Sequence, residues 1–273
     1  MSGAAAEIER FLNGETPRVA GPDEAVWHDH WHDHALGGLP PVLMALRGGL
    51  MARSLSQVFI AGYQAAIRSV FTDVPHNGWA ALAAAEDRND PENHPGTVLS
   101  EGPDGPLMNG FKSWVGQSRH VRHLRVTARQ DEAIRVAALD RDAPGVEISH
   151  REAPAFLKEL SQGFARFTDA PVTLLEGVKA RDFARAEPLY IMLAAAGILA
   201  AEAGDGIIRT RACVLALGFA DYLAAGGWSP KTLAALDREL TAVANADDWP
   251  GVPGWDADRK LLSLYSPGIQ KRA

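Results

Sequence analysis

The chain has a single cysteine, Cys213, in 273 residues. One thiol excludes an internal disulfide and cannot build a thiolate zinc site, and it fits a reducing, cytoplasmic compartment. Positive charge is not in excess either. Against 27 Lys and Arg stand 34 Asp and Glu, giving a net charge of −7 and a pI near 5.7, which speaks against nucleic-acid binding, because that rests on neutralising phosphates. The N-terminal stretch MSGAAAEIERFL carries acidic residues where an export signal would carry basic ones. The longest apolar run, from Leu189, stops at Glu202 and is too short to span a bilayer, so no membrane is expected. No G-x-G-x-x-G follows a strand pattern and no G-x-x-x-x-G-K-[ST] occurs, which removes the Rossmann and P-loop readings.

What is present reads as a globular chain, 47% hydrophobic and 22% charged. Its texture changes twice, which divides it into residues 1–75, 76–177 and 178–273. In the first segment Leu43, Leu46, Leu50 and Met51 recur at helical spacing, with Gly48-Gly49 predicted to interrupt them. Ser54-Leu-Ser-Gln57 has the form of a capping box and predicts a helix from Leu55. The middle segment is rich in turn residues and short β-prone runs, with strands expected over 122–128, 133–140, 146–150 and 164–172. This is the pattern of a small sandwich or barrel. Asn109-Gly110, between two apolar runs, predicts a hairpin turn. The charged, proline-bearing stretch 86–95 predicts an exposed loop. In the last segment the alanine-rich pattern is helical again, Ser229-Pro230 marks a helix start, and the tail from Trp249 is expected to be an extended arm with one short turn.

Two clusters raise the question of ligands. Trp27-His-Asp-His-Trp-His-Asp-His34 places His28 with His32, and His30 with His34, at the i,i+4 spacing that grips zinc in HExxH proteins, but neither pair encloses the glutamate of that motif. The reading is an exposed polar stretch, with no metal site. Arg119-His-Val-Arg-His-Leu-Arg125 could hold phosphates, or form the exposed face of a strand or a salt-bridged subunit interface; the second is preferred.

Leu107, Asn109-Gly110, Lys112, Trp114, Thr127-Ala-Arg129, Asp142-Ala-Pro-Gly-Val146 and the run from Phe164 to Val172 follow one another in the order found in flavin-dependent acyl-CoA dehydrogenases. The chain resembles a shortened and divergent member of that family over roughly residues 75–200. The resemblance implies an α+β fold with a helical N-terminal segment, a central antiparallel β-sandwich or barrel, and a helical C-terminal bundle. It also implies FAD, an acyl-CoA or other acyl thioester substrate, a place in lipid metabolism, and a homodimer or homotetramer or a hetero-oligomer with a full-length homologue. Trp114, Val115 and Gly116 would lie along the flavin, and Glu86 would stand in the loop that contacts it. Gly116 replaces the usual Thr, so only its backbone N–H could serve there. The stretch from Phe183 to Gly197 resembles the family's base-bearing helix and puts Glu187 on the base, with Pro188 expected to start or kink the helix. The alternative to an enzyme is a non-catalytic accessory or binding subunit that has lost its flavin contacts.

Overall fold

The computed structural model describes residues 3–152, 155–204, 206–226, 229–246 and 249–271. The chain divides into two compact units. One is helical and takes residues 1–69, 155–159 and 185–273; the other is mainly β and takes residues 70–154 and 160–184.

The helical unit opens with α1 (Gly3–Leu12), α2 (Glu24–Asp33), α3 (Pro41–Met51) and α4 (Leu55–Val70). Helix α4 starts where the capping box predicts: the Gln57 N–H approaches Ser54 Oγ at 3.4 Å, and Gln57 Oε1 accepts from the Arg53 N–H at 2.7 Å. Gly48-Gly49 does not interrupt α3, which runs through both. Their role is close approach rather than termination. A Cβ on Gly49 would stand 2.1 Å from the carbonyl oxygen of Ala194, one on Gly48 2.6 Å from the Ala61 Cβ, and one on Gly62 2.5 Å from the Ile191 Cα. The helical cost of the glycines, about 1 kcal/mol each, is what lets these backbones touch.

Ala194 and Ile191 belong to α5 (Ala180–Glu202), followed by α6 (Ile207–Ala224), α7 (Pro230–Ala244), α8 (Trp255–Asp258) and α9 (Lys260–Gln270). Helix α5 is long and apolar enough to cross a membrane by length and composition, yet 72% of its most apolar window is buried, as in the core helix of a folded unit. Arg18 holds helix ends together, donating to the Ala52 and Ala201 carbonyls and to the Glu202 carboxylate. It thus satisfies C-terminal carbonyls that have no intrahelical donor. At α7, Ser229 Oγ accepts from the Thr232 N–H at 3.3 Å with Pro230 in the first turn. The tail is not the expected extended arm. Leu261, Leu262 and Ile269 are buried at helical spacing on α9, and Pro267 is tolerated on its exposed side, where water can serve the carbonyl that the ring leaves without a donor.

The other unit is built on strands β1 (Trp79–Ala83), β2 (Val98–Gly102), β3 (Gly105–Gly116), β4 (Val121–Gln130), β5 (Ala133–Asp140), β6 (Val146–His150), β7 (Gln162–Pro171) and β8 (Thr173–Leu175). They form one sheet in the order β6-β7-β3-β2-β4-β5-β8, with β1 on β4. It is mixed rather than wholly antiparallel, since β1 and β2 both run parallel to β4. The β4–β5 pair closes tightly at Asp131, at φ +52°.

Asn109-Gly110 is not a hairpin turn. It lies inside the single strand β3, and the turn to β2 falls at Gly102–Gly105. The pair forms a bulge against β7, where the register shifts between Met108 and Gly110. Gly110 is at φ +129°, and a Cβ there would meet the Thr97 Cα at 2.6 Å. Asn109 clamps the opposite strand: its Oδ1 accepts from the Asp169 N–H at 2.9 Å and its Nδ2 donates to Asp169 Oδ1 at 2.8 Å. An αL-tolerant Asn-Gly dipeptide serves a bulge as well as a turn.

Candidate functional site

Two residues beyond the bulge in β3, Lys112 is buried in the interior. Its side chain is 1% exposed, and Nζ donates to Glu86 Oε1 at 2.7 Å and to Thr127 Oγ1 at 3.0 Å. The same Glu86 oxygen accepts from the Thr97 N–H at 3.1 Å. Burial lowers the Lys112 pKa, opposed by Glu86. At Glu86 burial pushes upward, but the hydrogen bond and charge of Lys112 and the Thr97 N–H outweigh it and hold the carboxyl below the usual range. Glu86 therefore neutralises a buried ammonium. It also fixes the 86–95 loop, whose ends are pinned to β3 by Ser113 N–H to Ala85 O at 2.9 Å and Phe111 N–H to Pro95 O at 2.8 Å. Between those ends the loop is mostly exposed, as read from its charge.

Farther along β3, Trp114 is partly buried and Val115 and Gly116 are buried. The indole N–H donates to Gln162 Oε1 at 3.1 Å, and Gln162 stands opposite Gly116 across the β3–β7 ladder. The ring reaches back over its own strand, so that a Cβ on Gly116 would lie 2.8 Å from Trp114 Cη2. The missing side chain at 116 is the space that the indole occupies. Arg151 also donates to Gln162 Oε1 at 2.5 Å, so one amide oxygen holds both a guanidinium and an indole.

Glu187 lies in the helical unit, in the interior of α5. That helix begins at Ala180, so Pro188 neither starts it nor ends it. The proline ring has no N–H for the Ala184 carbonyl, which loosens the backbone one turn before Glu187. The Glu187 carboxyl is pushed up to about 7, first by burial, with a hydrogen bond from Tyr265 of α9 acting in the opposite direction. Tyr265 in turn is raised by burial, by Glu187 and by Tyr63 of α4. A carboxyl poised near neutrality beside a neutral phenol can take or release a proton at physiological pH.

The arginine and histidine cluster does not form the one exposed face expected of it. The pleat of β4 sends Arg122 outward and His123 and Arg125 inward, with His123 Nδ1 2.7 Å from Asp140 and Arg125 Nη2 2.7 Å from Asp73. In α2 Asp29, His32 and Asp33 are exposed and His28, His30 and His34 partly buried, while Trp27 and Trp31, at 0% and 1% exposure, anchor the helix. Among the described residues no group of three or more His, Cys, Asp or Glu is placed to hold a metal ion.

Tyr265, Gln162 and Thr127 complete these arrangements, and of the three only Thr127 lies in the run of motifs that carries the family resemblance. No pattern in the sequence couples Tyr265 to Glu187; their pairing follows from the packing of α9, which the proline and glycines of the tail obscure.

No family model and no curated protein sequence matches the chain. Solved structures do. An FAD-dependent dehydrogenase superposes with a TM-score of 0.64 at 13% identity, over 100% of this chain and 91% of that one. A glutaryl-CoA dehydrogenase from Mycobacterium smegmatis in complex with FADH2 gives 0.59 at 13% identity, over 96% and 89%. An acyl-CoA dehydrogenase from Geobacillus kaustophilus gives 0.53 at 16%, over 100% and 86%. The chain has the acyl-CoA dehydrogenase-like fold that the motifs of β3 and β4 imply.

Proposed function

We propose that the protein is an FAD-binding oxidoreductase that removes hydrogen from the α and β carbons of an acyl thioester, with Glu187 as the base. The observation that carries this reading is the Glu187 carboxyl, pushed up to about 7 beside Tyr265 on a helix of this fold. A thioester acidifies its α-carbon only modestly, so a carboxylate whose conjugate acid lies near neutral is a better match than an ordinary one. Glu187 takes the α-proton on its carboxylate; the Tyr265 hydroxyl donates to that carboxylate and orients it. FAD, when bound, supplies the hydride acceptor.

The β unit offers a fit to a planar cofactor. Trp114 is partly accessible, and its indole is fixed at both ends, by Gln162 at the N–H and by the close floor of Gly116 below. A rigid aromatic face of this kind stacks a flat ring at little entropic cost. Trp114, Val115 and Gly116 are the residues that would line it, while Glu86 acts indirectly by holding the loop through Lys112. Ile207 and Val214, exposed and two turns apart on α6, support a subunit contact of a homodimer or homotetramer. The single buried cysteine suits a cytoplasmic setting.

A second reading, a non-catalytic member that binds an acyl group or partner subunit, is favoured by one observation. The Trp114 ring covers Gly116 and leaves no side-chain hydroxyl at that position for the cofactor.

The test begins with purified protein incubated with excess FAD and desalted. Retained visible absorbance at one flavin per chain supports the enzyme, and colourless protein supports the accessory reading. With flavin retained, Glu187→Gln is expected to lose at least a hundredfold in dye-coupled oxidation of acyl-CoA without losing flavin. Undiminished turnover would remove Glu187 from the role of base.

A further inference from the structure

The geometry points to a transition-metal site on α2, formed by His28 and His32, that takes one borderline divalent ion such as Zn²⁺, Ni²⁺ or Cu²⁺. It stands apart from the flavin reading and does not depend on it.

The two rings meet at 4.5 Å between centroids, and their Nε2 atoms share a hydrogen bond of 3.2 Å. Two imidazoles each about 2.0–2.1 Å from one ion, subtending roughly 100° at it, hold their nitrogens about 3.2 Å apart. The bite is already set without the ion. Preorganisation has a visible source, because Trp27 and Trp31, each one residue before its histidine on the adjacent face of the helix, are almost without exposure and hold these turns in place. The i,i+4 ladder then fixes where His28 and His32 stand. Asp29 Oδ1 lies 3.6 Å from His28 Nδ1. That separation is too long for a hydrogen bond and adds only a nearby negative charge; without an ion one Nε2 donates its proton to the other, and a divalent ion replaces that proton, which leaves to solvent.

The neighbouring pair, His30 and His34, has the same spacing and rings 4.4 Å apart, but it differs in access. His30 accepts no approach from solvent at Nε2, which is buried, and its other nitrogen donates to the Pro17 carbonyl. The exposed edge of α2 is the one at His32. Two protein nitrogens leave the remaining coordination positions to water, and imidazole selects the later first-row ions over Mg²⁺ and Ca²⁺.

The experiment uses the full chain without a histidine tag, stripped with chelator, and titrated calorimetrically with Ni²⁺, with Mg²⁺ as a control. The expected result is one Ni²⁺ per chain, a rise in the melting temperature on loading, and no Mg²⁺ binding. His32→Ala is expected to weaken Ni²⁺ at least tenfold while His34→Ala leaves it within twofold. His32 is exposed, so the variant keeps the metal-free melting temperature of the parent; His32→Gln serves if it does not. On loading, the imidazole nitrogen resonances of His28 and His32 shift together. Absence of Ni²⁺ binding by the parent, equal affinity in His32→Ala, or an equal loss in His34→Ala would each overturn the assignment.

Discussion

The Trp114 indole lies over Gly116, two positions along the same strand, with Cη2 2.8 Å from the point where a Cβ would stand. A side chain at 116 and the present indole rotamer exclude one another. Gly116→Thr is therefore expected to lower stability by about 1–3 kcal/mol, the range of overpacking, and to shift the Trp114 fluorescence as the ring leaves Gln162. Combining it with Trp114→Ala should recover part of that loss. A double-mutant cycle by urea unfolding measures the coupling, and strict additivity of the two changes contradicts the contact.

Lys112 and Glu86 make an asymmetric pair, with the ammonium buried at 1% exposure and the carboxylate 38% exposed. Removing the carboxylate strands a buried charge, whereas removing the charge itself does not. Glu86→Ala is expected to cost about 3 kcal/mol and Lys112→Met about half of that. Chemical denaturation of both variants checks the order; the reverse order would place the burden on Glu86.

The Glu187 carboxyl, near 4.5 in an unfolded chain and about 7 when folded, binds its proton more tightly in the folded state. Between those values the folded chain holds more protons than the unfolded one, so stability contributed by this group is present below about pH 4.5 and is lost as pH rises through about 7. Glu187→Gln should match the parent near pH 4 and exceed it at pH 8 by on the order of 2 kcal/mol. Melting temperatures of the two proteins across that range give the difference directly. Tyr265→Phe removes the opposing hydrogen bond and should move the loss to higher pH.

The backbones of α3 and α5 touch at Gly49, where a Cβ would fall 2.1 Å from the Ala194 carbonyl oxygen. Backbone cannot retreat as a flexible side chain can. Gly49→Ala is expected to lower stability by more than about 3 kcal/mol despite its favourable helix propensity, whereas Gly38→Ala, with open space around it, should change it by less than about 1 kcal/mol. Thermal unfolding of the two variants separates close approach from propensity.

Much of the β unit was legible from local pattern. Strand β5 and strand β6 begin and end where alternation and turn residues put them, and Ser54 and Ser229 cap the helices they announce. Errors came where a residue type serves two purposes. Asn109-Gly110 supplies a positive φ equally to a turn and to a bulge, and only the β7 strand, through Asp169, decides between them. Gly48-Gly49 reads as a helix breaker until Ala61 and Ala194 arrive against it. The alternation of β4 hid the two sides of the arginine cluster, because charge in sequence looks exposed until Asp73 and Asp140 come to meet it.

The sequence by itself determined strands β5 and β6, the caps at Ser54 and Ser229, and the run of motifs in β3 and β4 that carries the fold, since each rests on interactions within a few residues. Tertiary structure decided which charges are internal, why Gly116 lacks a side chain, and that Glu187 meets Tyr265. Those outcomes depend on desolvation and on contacts between residues far apart in the chain, such as Lys112 with Glu86 and α5 with α9, and no local pattern encodes which distant partner arrives.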